Sequence, residues 1–362
     1  MASRYRRRAF LALAGATAVA ACTPTPPAAE SPAPPPQPTP SPTPRGAPLT
    51  GTLAVYSALD EPTTAALLGA FTKMFPGVRA EAIAYAPPDE LETRMRIELR
   101  SRKADILLGG ANAHHDILGK DGFLEAYLAA PAAQISARLK EATGLWTGWY
   151  EDVLGLVVNS GRITRELGGK RPATWDDLLD PSWKGKLVIP DPALTDAGFA
   201  FLATQYFRFD RDEAKTLDYL RALHPNVLQY PRDQATAVAM VARGDAAGAA
   251  AWGHDVLAEA ARGPAMEMLA PKDSSLEIGA ASIVKGTQSG PAARALVDWL
   301  VGPDAQALIA TIGGRSPVRA LAAPPAGSPP LSSLDPGRYD RRAAYDVRGR
   351  LLARWRTAAG RQ

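Results

Sequence analysis

Short apolar runs alternate with amphipathic stretches along the chain, and their periods separate strands from helices. Residues 53–57 (LAVYS) read as a strand. Residues 62–74 follow with Leu67, Ala70, Phe71 and Met74 at the spacing of one helix face; Pro62 suits a first helical turn, and Phe75-Pro76-Gly77 stops the helix. Residues 78–84 form a second predicted strand. Residues 89–101 form a second helix, with Leu91, Met95 and Leu99 in register, and residues 104–108 a buried strand ending in Gly109-Gly110. This β-α-β-α-β order predicts a parallel sheet covered by helices. Ligands of such sheets bind outside the carboxyl ends of the strands. Here those ends are Ser57-Ala58-Leu59-Asp60 and Gly109-Gly110-Ala111-Asn112.

A second unit starts near residue 158. Its predicted strands are 186–190, 227–230 and 246–252, and its helices 198–207, 212–223 and 233–243. A loop at 191–197 leads into the first of these helices. Residues 278–284 then read as a strand and 290–301 as a helix with Leu296, Val297 and Leu300 apolar. Two α/β lobes with more than one chain crossing predict a hinged clamshell, each lobe a mainly parallel sheet flanked by helices. The expected division is 51–157 with 265–322 for lobe 1, and 158–264 for lobe 2.

The two ends of the chain have a different composition. Four arginines (Arg4, Arg6, Arg7, Arg8) precede 13 small or apolar residues, 9–21, and then Cys22, the single cysteine of the chain. A charged n-region, a short apolar run and small residues at the cut predict a secretory signal over 1–21, too short to span a membrane. Val19-Ala20-Ala21-Cys22 resembles a bacterial lipobox, which implies lipid attachment at Cys22; the alternative is an ordinary signal with a chance cysteine. Arg7-Arg8-Ala9-Phe10-Leu11 resembles a twin-arginine export motif. Residues 23–50 hold 12 prolines in 28 positions. They predict an extended tether of roughly 85 Å at about 3.1 Å per residue. Residues 324–336 are again proline- and serine-rich. Residues 338–362 predict a basic helix with Tyr345, Leu351, Leu352 and Trp355 apolar, packing back on the body or lying on a membrane surface.

Charge narrows the class. Setting aside the four signal arginines leaves 37 basic residues against 37 acidic ones, so the case for a nucleic-acid partner falls. With Cys22 lipidated no thiol remains for a disulfide, a cysteine zinc site or a nucleophile. The four histidines, His114, His115, His224 and His254, have no HExxH spacing, and no G-x-S-x-G, Walker A or G-x-G-x-x-G motif occurs. An enzyme, a metal site and a cofactor are therefore not expected.

Several stretches together resemble the solute-binding proteins of ABC transporters, in the clamshell class (periplasmic-binding-protein type 2) that includes ferric-iron and aminoethylphosphonate binders. They are LAVYSALDE, KADILLGGANAHHDILGKDGFLEAY, GLWTGWYEDVLGLVVNS, RPATWDDLLDPSWKGKLVIPDPALTDAGF, YPRDQATAVAMVARGDAAGAAAWGHD, IGAASIVKGTQ and GGRSPVRA, over about residues 51–322. Pro172-Ala173-Thr174-Trp175-Asp176-Asp177-Leu178 with Trp183-Lys184-Gly185-Lys186 is the most specific piece. The resemblance implies a monomeric, exported protein that closes on a small solute and passes it to a membrane permease and ATPase. A ligand-sensing lipoprotein is the rival role.

The resemblance places first-lobe contacts at Ser57, Ala58 and Leu59 and at Gly110, Ala111 and Asn112. Loop amides beside helix N-termini suit an anion; Ser57 is equally readable as a helix cap. Second-lobe contacts fall on Thr195 and Asp196, on the Arg232-Asp233-Gln234 turn, and on Trp252, His254 and Asp255. Phosphonate-binding relatives usually carry glycine where Asp196 stands. Either Asp196 faces outward as a helix cap, or the ligand carries a cation such as an amine. Arg232 is a candidate for a ligand oxyanion, or a solvated turn residue. Trp252 either stacks on the ligand or fills the core. His254 and Asp255, read as strand residues, point to opposite faces. Tyr150, with Trp149, closes one wall. Iron binders of the class carry a tyrosine pair near Trp252, absent here, which ranks a phosphate- or phosphonate-bearing solute above ferric iron.

Overall fold

One long strand organises the molecule. Thr147–Asn159 has every residue but the last buried and at about 3.3 Å per residue runs about 43 Å, enough to cross two sheets. The computed structural model describes residues 49–98, 101, 103–263, 265–334 and 339–359. The expected signal sequence, Cys22, the tether up to residue 48, and Leu99 lie outside the described residues.

In chain order the elements are β1 (Gly51–Ser57), α1 (Glu61–Met74), β2 (Val78–Tyr85), α2 (Pro88–Ile97), β3 (Ile106–Ala111), α3 (Asn112–Lys120), β4 (Leu124–Glu125), β5 (Thr147–Asn159), α4 (Ser160–Glu166), β6 (Leu187–Val188), α5 (Asp196–Arg208), α6 (Glu213–Leu223), β7 (Val227–Gln229), α7 (Gln234–Arg243), β8 (Gly248–Trp252), α8 (Gly253–Ala260), β9 (Met266–Leu269), β10 (Leu276–Val284), α9 (Gly290–Leu300), α10 (Pro303–Ile312), β11 (Ser316–Pro317) and α11 (Arg341–Ala358).

The strand order is β2-β1-β3-β10-β5-β8-β6-β7. β1 pairs in parallel with β2 and β3, and β6 in parallel with β7 and β8. These are the two parallel sheets expected from sequence. β5 joins them: up to Val153 it pairs with β10, and from Leu154 onward with β8 and β9, all antiparallel. The change of sheet thus falls at 153/154 rather than 157/158. β9, expected in lobe 1, instead pairs with Leu156–Asn159 in the second sheet. The chain returns to the first sheet through 270–275, where Ser274 and Ser275 are buried.

Each lobe has its own core. Leu53, Val55, Leu67, Phe71, Ile106 and Leu296 belong to one in lobe 1, and Leu156, Trp175, Trp183, Phe199, Phe201 and Leu220 to one in lobe 2. The Trp175 and Trp183 motif is structural. The Thr174 hydroxyl accepts from the Asp177 amide, the Asp177 carboxylate accepts back from the Thr174 amide, and the turn so capped buries Trp175 edge-on to Phe201. α11 lays Ala344, Leu351 and Trp355 into the same core, so the apolar side read from sequence is the buried one.

Two elements differ from the sequence reading near the cleft. α5 begins at Asp196, two residues earlier than expected, because the Thr195 hydroxyl accepts from the Gly198 amide as its cap. His254 and Asp255 are helical, in the first turn of α8, and β8 ends at Trp252. The opposite-face argument for that pair fails with the strand.

Candidate functional site

The carboxyl ends of β1 and β3 meet at a tight turn. Gly109 and Gly110 both take positive φ, 80° and 76°, and a Cβ on Gly110 would lie 2.6 Å from Pro88. Three of the amides expected to cradle an anion there are engaged within the protein, while α3 has no side-chain cap. Ala58 N donates to Leu108 O at 2.9 Å, Leu59 N to Ser57 Oγ at 3.1 Å, and Gly110 N to the Tyr150 hydroxyl at 3.1 Å. Ser57 is fully buried, and its hydroxyl also bonds Thr64 Oγ1 at 2.8 Å. Its role is internal; the cap of α1 is Asp60, which accepts from Thr63 N. Ala111 is buried as the residue before α3, and Asn112 opens that helix half-buried.

The second-lobe candidates sit on three helix N-termini. Gln234 ties them together: its Oε1 accepts from Ala197 N at 3.4 Å in α5, and its Nε2 donates to Asp255 Oδ2 at 3.0 Å in α8. Asp233 caps α7 by accepting from Ala235 N and Thr236 N. Arg232 is exposed, on the solvent side of this turn.

The centre of the site is a charged cluster on β5, β10 and α8. Asp152 is buried, and its Oδ2 bonds His254 Nδ1; His254 Nε2 lies 3.3 Å from Asp255 Oδ1. Gly253 makes room, since a Cβ there would stand 2.9 Å from Asp152 Oδ1. Burial and the Arg315 charge both disfavour the imidazolium, yet Asp255 and Asp152 outweigh them and raise the His254 pKa above its ordinary value. The Tyr150 hydroxyl, pushed up by burial and by Glu277, lies 3.4 Å from Glu277 Oε1.

Arg315 projects between the lobes. It is 6 % exposed, donates to Gly313 O at 2.9 Å, and stacks 5.3 Å from the Tyr150 ring centre. Among the described residues its one carboxylate within salt-bridge range is Asp60, at 3.9 Å. Burial works against its charge, while Tyr150, Asp152, Glu277 and Asp60 favour it and keep its pKa raised. An open groove of about 1480 Å³ runs past it. Asp60 and Thr63 of α1 and His254 and Asp255 of α8 stand at part of it, and the rest is lined mainly by α8, α10, β9 and residues 321–327, so of the expected contacts only His254 and Asp255 line it.

Asp196 is not the cap of α5, which is Thr195, and the cation it meets belongs to this chain and not to a ligand. Both of its carboxylate oxygens accept from Arg341 Nη2 at 2.9 Å. Arg341 Nη1 reaches Glu277 Oε2 at 3.3 Å, and its guanidinium lies 5.6 Å from the centre of the Trp252 ring. Trp252 is both a core residue and a face of this contact. Burial would raise the Asp196 pKa, but Arg341 overrides it and lowers it; Glu277 is raised by burial against the pull of Arg341.

Sequence reasoning missed Asp152, Glu277, Arg315 and Arg341. Asp152 lies two residues after Tyr150 on the same strand face, a signal that was available. Arg315 stands inside the GGRSPVRA stretch. Nothing local marks Arg341, which is one arginine in a basic helix.

A two-lobed α/β body with crossing strands and a polar inter-lobe cleft defines a periplasmic-type binding protein. The sequence matches the family described as bacterial extracellular solute-binding protein over residues 101–336, and the chain belongs to that family. A Haemophilus influenzae protein, itself uncharacterised, is 29% identical over 272 residues, 72% of this chain and 78% of its own. A Salmonella typhi protein provisionally named a 2-aminoethylphosphonate-binding periplasmic protein is 24% identical over 206 residues, 55% of this chain and 59% of its own. Among solved structures, the periplasmic binding protein AfuA from Actinobacillus pleuropneumoniae, with exogenous fructose-6-phosphate bound, superposes with TM-score 0.73 at 25% identity, over 85% of this chain and 98% of that one. Iron-bound HitA from Pseudomonas aeruginosa superposes with TM-score 0.71 over 83% and 99%, and at 18% identity it shares the fold alone. The chain is thus a periplasmic solute-binding protein of an ABC transporter, a class that works with a membrane permease and ATPase. The family and these neighbours are binding proteins rather than enzymes.

Proposed function

We propose that the solute is a small phosphate- or phosphonate-bearing molecule, captured in the groove with its oxyanion on Arg315. The lobes close on it, and a chain anchored outside the membrane by lipid at Cys22 presents it to the permease. The observation that carries this reading is Arg315, a buried guanidinium whose nearest described carboxylate stands off at 3.9 Å. Its fork matches a phospho group, and removal from water strengthens the pairing. The relative named for 2-aminoethylphosphonate and the neighbour holding fructose-6-phosphate both point to phospho groups. Against ferric iron, the start of α8 reads Trp252-Gly253-His254 with no tyrosine pair. Among the described residues no three His, Cys, Asp or Glu side chains are placed to hold a metal.

The test is a thermal-shift series with fructose-6-phosphate, 2-aminoethylphosphonate, inorganic phosphate and ferric citrate, each at 1 mM. A solute with Kd near 1 μM adds about 4 kcal/mol, or roughly 8 °C in Tm. A phospho compound should shift the wild type and not the Arg315→Gln variant. A shift with ferric citrate alone, or a phospho shift that survives R315Q, overturns the reading.

A further inference from the structure

Arg341 occupies a seat that does not belong to its own helix. Asp196 comes from the first turn of α5 in lobe 2, Trp252 from the end of β8, and Glu277 from β10 in the first sheet. Two carboxylates and an aromatic face are the elements of cation recognition. Emptied of cation, the seat would hold two half-buried carboxylates whose repulsion is offset only by the weaker influence of His114, Arg348 and His254. One turn further along α11, the Tyr345 hydroxyl bonds His114 Nε2 at 2.7 Å, and His114 lies on α3 of lobe 1 beside Glu92. The rest of α11 is fixed to lobe 2 by Leu351 and Trp355 in its core and by Glu213, which pairs with Arg350 at 2.6 Å and Arg354 at 3.1 Å. The helix therefore bridges the lobes by two contacts, Arg341 to Glu277 and Tyr345 to His114. Parting the lobes would break the Tyr345–His114 contact, while Glu277 stands beside the Val153/Leu154 crossing. The fit of Arg341 is also incomplete, for its Nε is buried with no hydrogen-bond partner among the described residues.

We propose that α11 is a built-in occupant of the inter-lobe cleft: Arg341 fills a subsite for a guanidinium or primary ammonium group, and an external cationic group enters by replacing it. The proposal rests on the solute-binding reading of the cleft. It adds a cation subsite to that reading and a latch that holds the lobes together in the absence of solute.

Chemical rescue tests it in the full chain without any phosphorylated compound, so its failure is separate from failure of the thermal-shift series above. The Arg341→Ala variant is melted in 0 to about 20 mM methylguanidinium, far below denaturing concentration. The expected result is a saturable rise of about 4 °C, absent in the wild type and abolished when Asp196→Asn is added to R341A. Should R341A not fold, Arg341→Met keeps the stem packed on Trp252 and is put through the same titration. No saturable rise in the variant that folds, or an equal rise in the wild type or with D196N added, overturns the proposal.

Discussion

Acidification should weaken this protein through one buried imidazole. His115 is fully buried on α3, with Nδ1 2.7 Å from Ser282 Oγ and Nε2 3.0 Å from Gly109 O. It thereby holds the glycine turn at the end of β3, the first-lobe wall of the cleft. Burial drives its pKa down from 6.5 to about 4, only partly offset by the Gly109 carbonyl. The folded value lies below the unfolded one, so the unfolded chain takes up the proton first. Stability is complete above about pH 6.5 and is lost as pH falls toward 4. At about 1.4 kcal/mol per pH unit, the loss is about 2 kcal/mol by pH 5 and about 3 kcal/mol by pH 4. Urea unfolding followed by tryptophan fluorescence measures it. With a slope of about 3 kcal/mol per M, the wild-type midpoint should drop by about 1 M through this group alone. Carboxylates elsewhere titrate over the same range, so the quantity to read is the difference between wild type and His115→Gln. That difference should shrink by about 3 kcal/mol from pH 7 to pH 4. A difference that stays constant with pH would refute the assignment of a buried neutral imidazole.

The opposite pH sign is expected at His254. Its folded pKa is raised, so its contribution is full below about pH 6.5 and is lost as pH rises through the folded value; His254→Gln should flatten the alkaline side of the stability profile and leave the acid side in place. Gly279→Ala sets a Cβ 1.9 Å from Tyr150 Cζ. Displacing that buried ring also strands the Gly110 amide, a loss of at least about 3 kcal/mol by calorimetry. Trp355→Ala empties a nearly fully buried site in lobe 2. It should cost about 3–5 kcal/mol and make α11 the first segment cut in limited proteolysis.

Elements and topology were largely legible in the sequence because the strands are short, apolar and separated by capped helices. Asp60, Thr195 and Asp233 each stand one residue before a helix and accept its first amides. The lobe borders were less legible, because a strand that changes partner at Val153/Leu154 keeps one unbroken run of buried residues. Burial on both sides erases the alternation that would mark the switch. Of the expected contacts, His254 and Asp255 line the groove, and the side-chain pairs around them were not legible. The partners of Tyr150, Asp196, Trp252 and His254, which are Glu277, Arg341 and Asp152, lie 89 to 145 residues away. Side-chain pairs of that separation leave no local pattern to read.

The location of the anion site follows from how the helix ends are used. Five helices begin at the cleft walls, and bare N-termini would make a general anion cradle. Here three of the five are already committed, while α3 and α8 carry no side-chain cap. Asp60 caps α1, Thr195 caps α5 and Asp233 caps α7, while Gln234 takes an α5 amide and Tyr150 takes the Gly110 amide. Asp196 and Asp255 add carboxylates to the first turns of α5 and α8, spending the favourable end of each helix dipole on the protein's own acids. An incoming phospho group gains little from amides so engaged and is repelled by the acids beside them. The proposed reading places recognition on a full positive charge that is removed from water and loosely held, Arg315 and not the exposed Arg232, with the uncapped starts of α3 and α8 as the competing donors. If the amides were nonetheless the ligand's donors, R315Q would lose about one charge-assisted hydrogen bond, a factor of about 10 to 100 in Kd. If Arg315 is the sole strong contact, the same substitution abolishes binding at 1 mM. The size of the loss, not only its presence, therefore decides between the two arrangements.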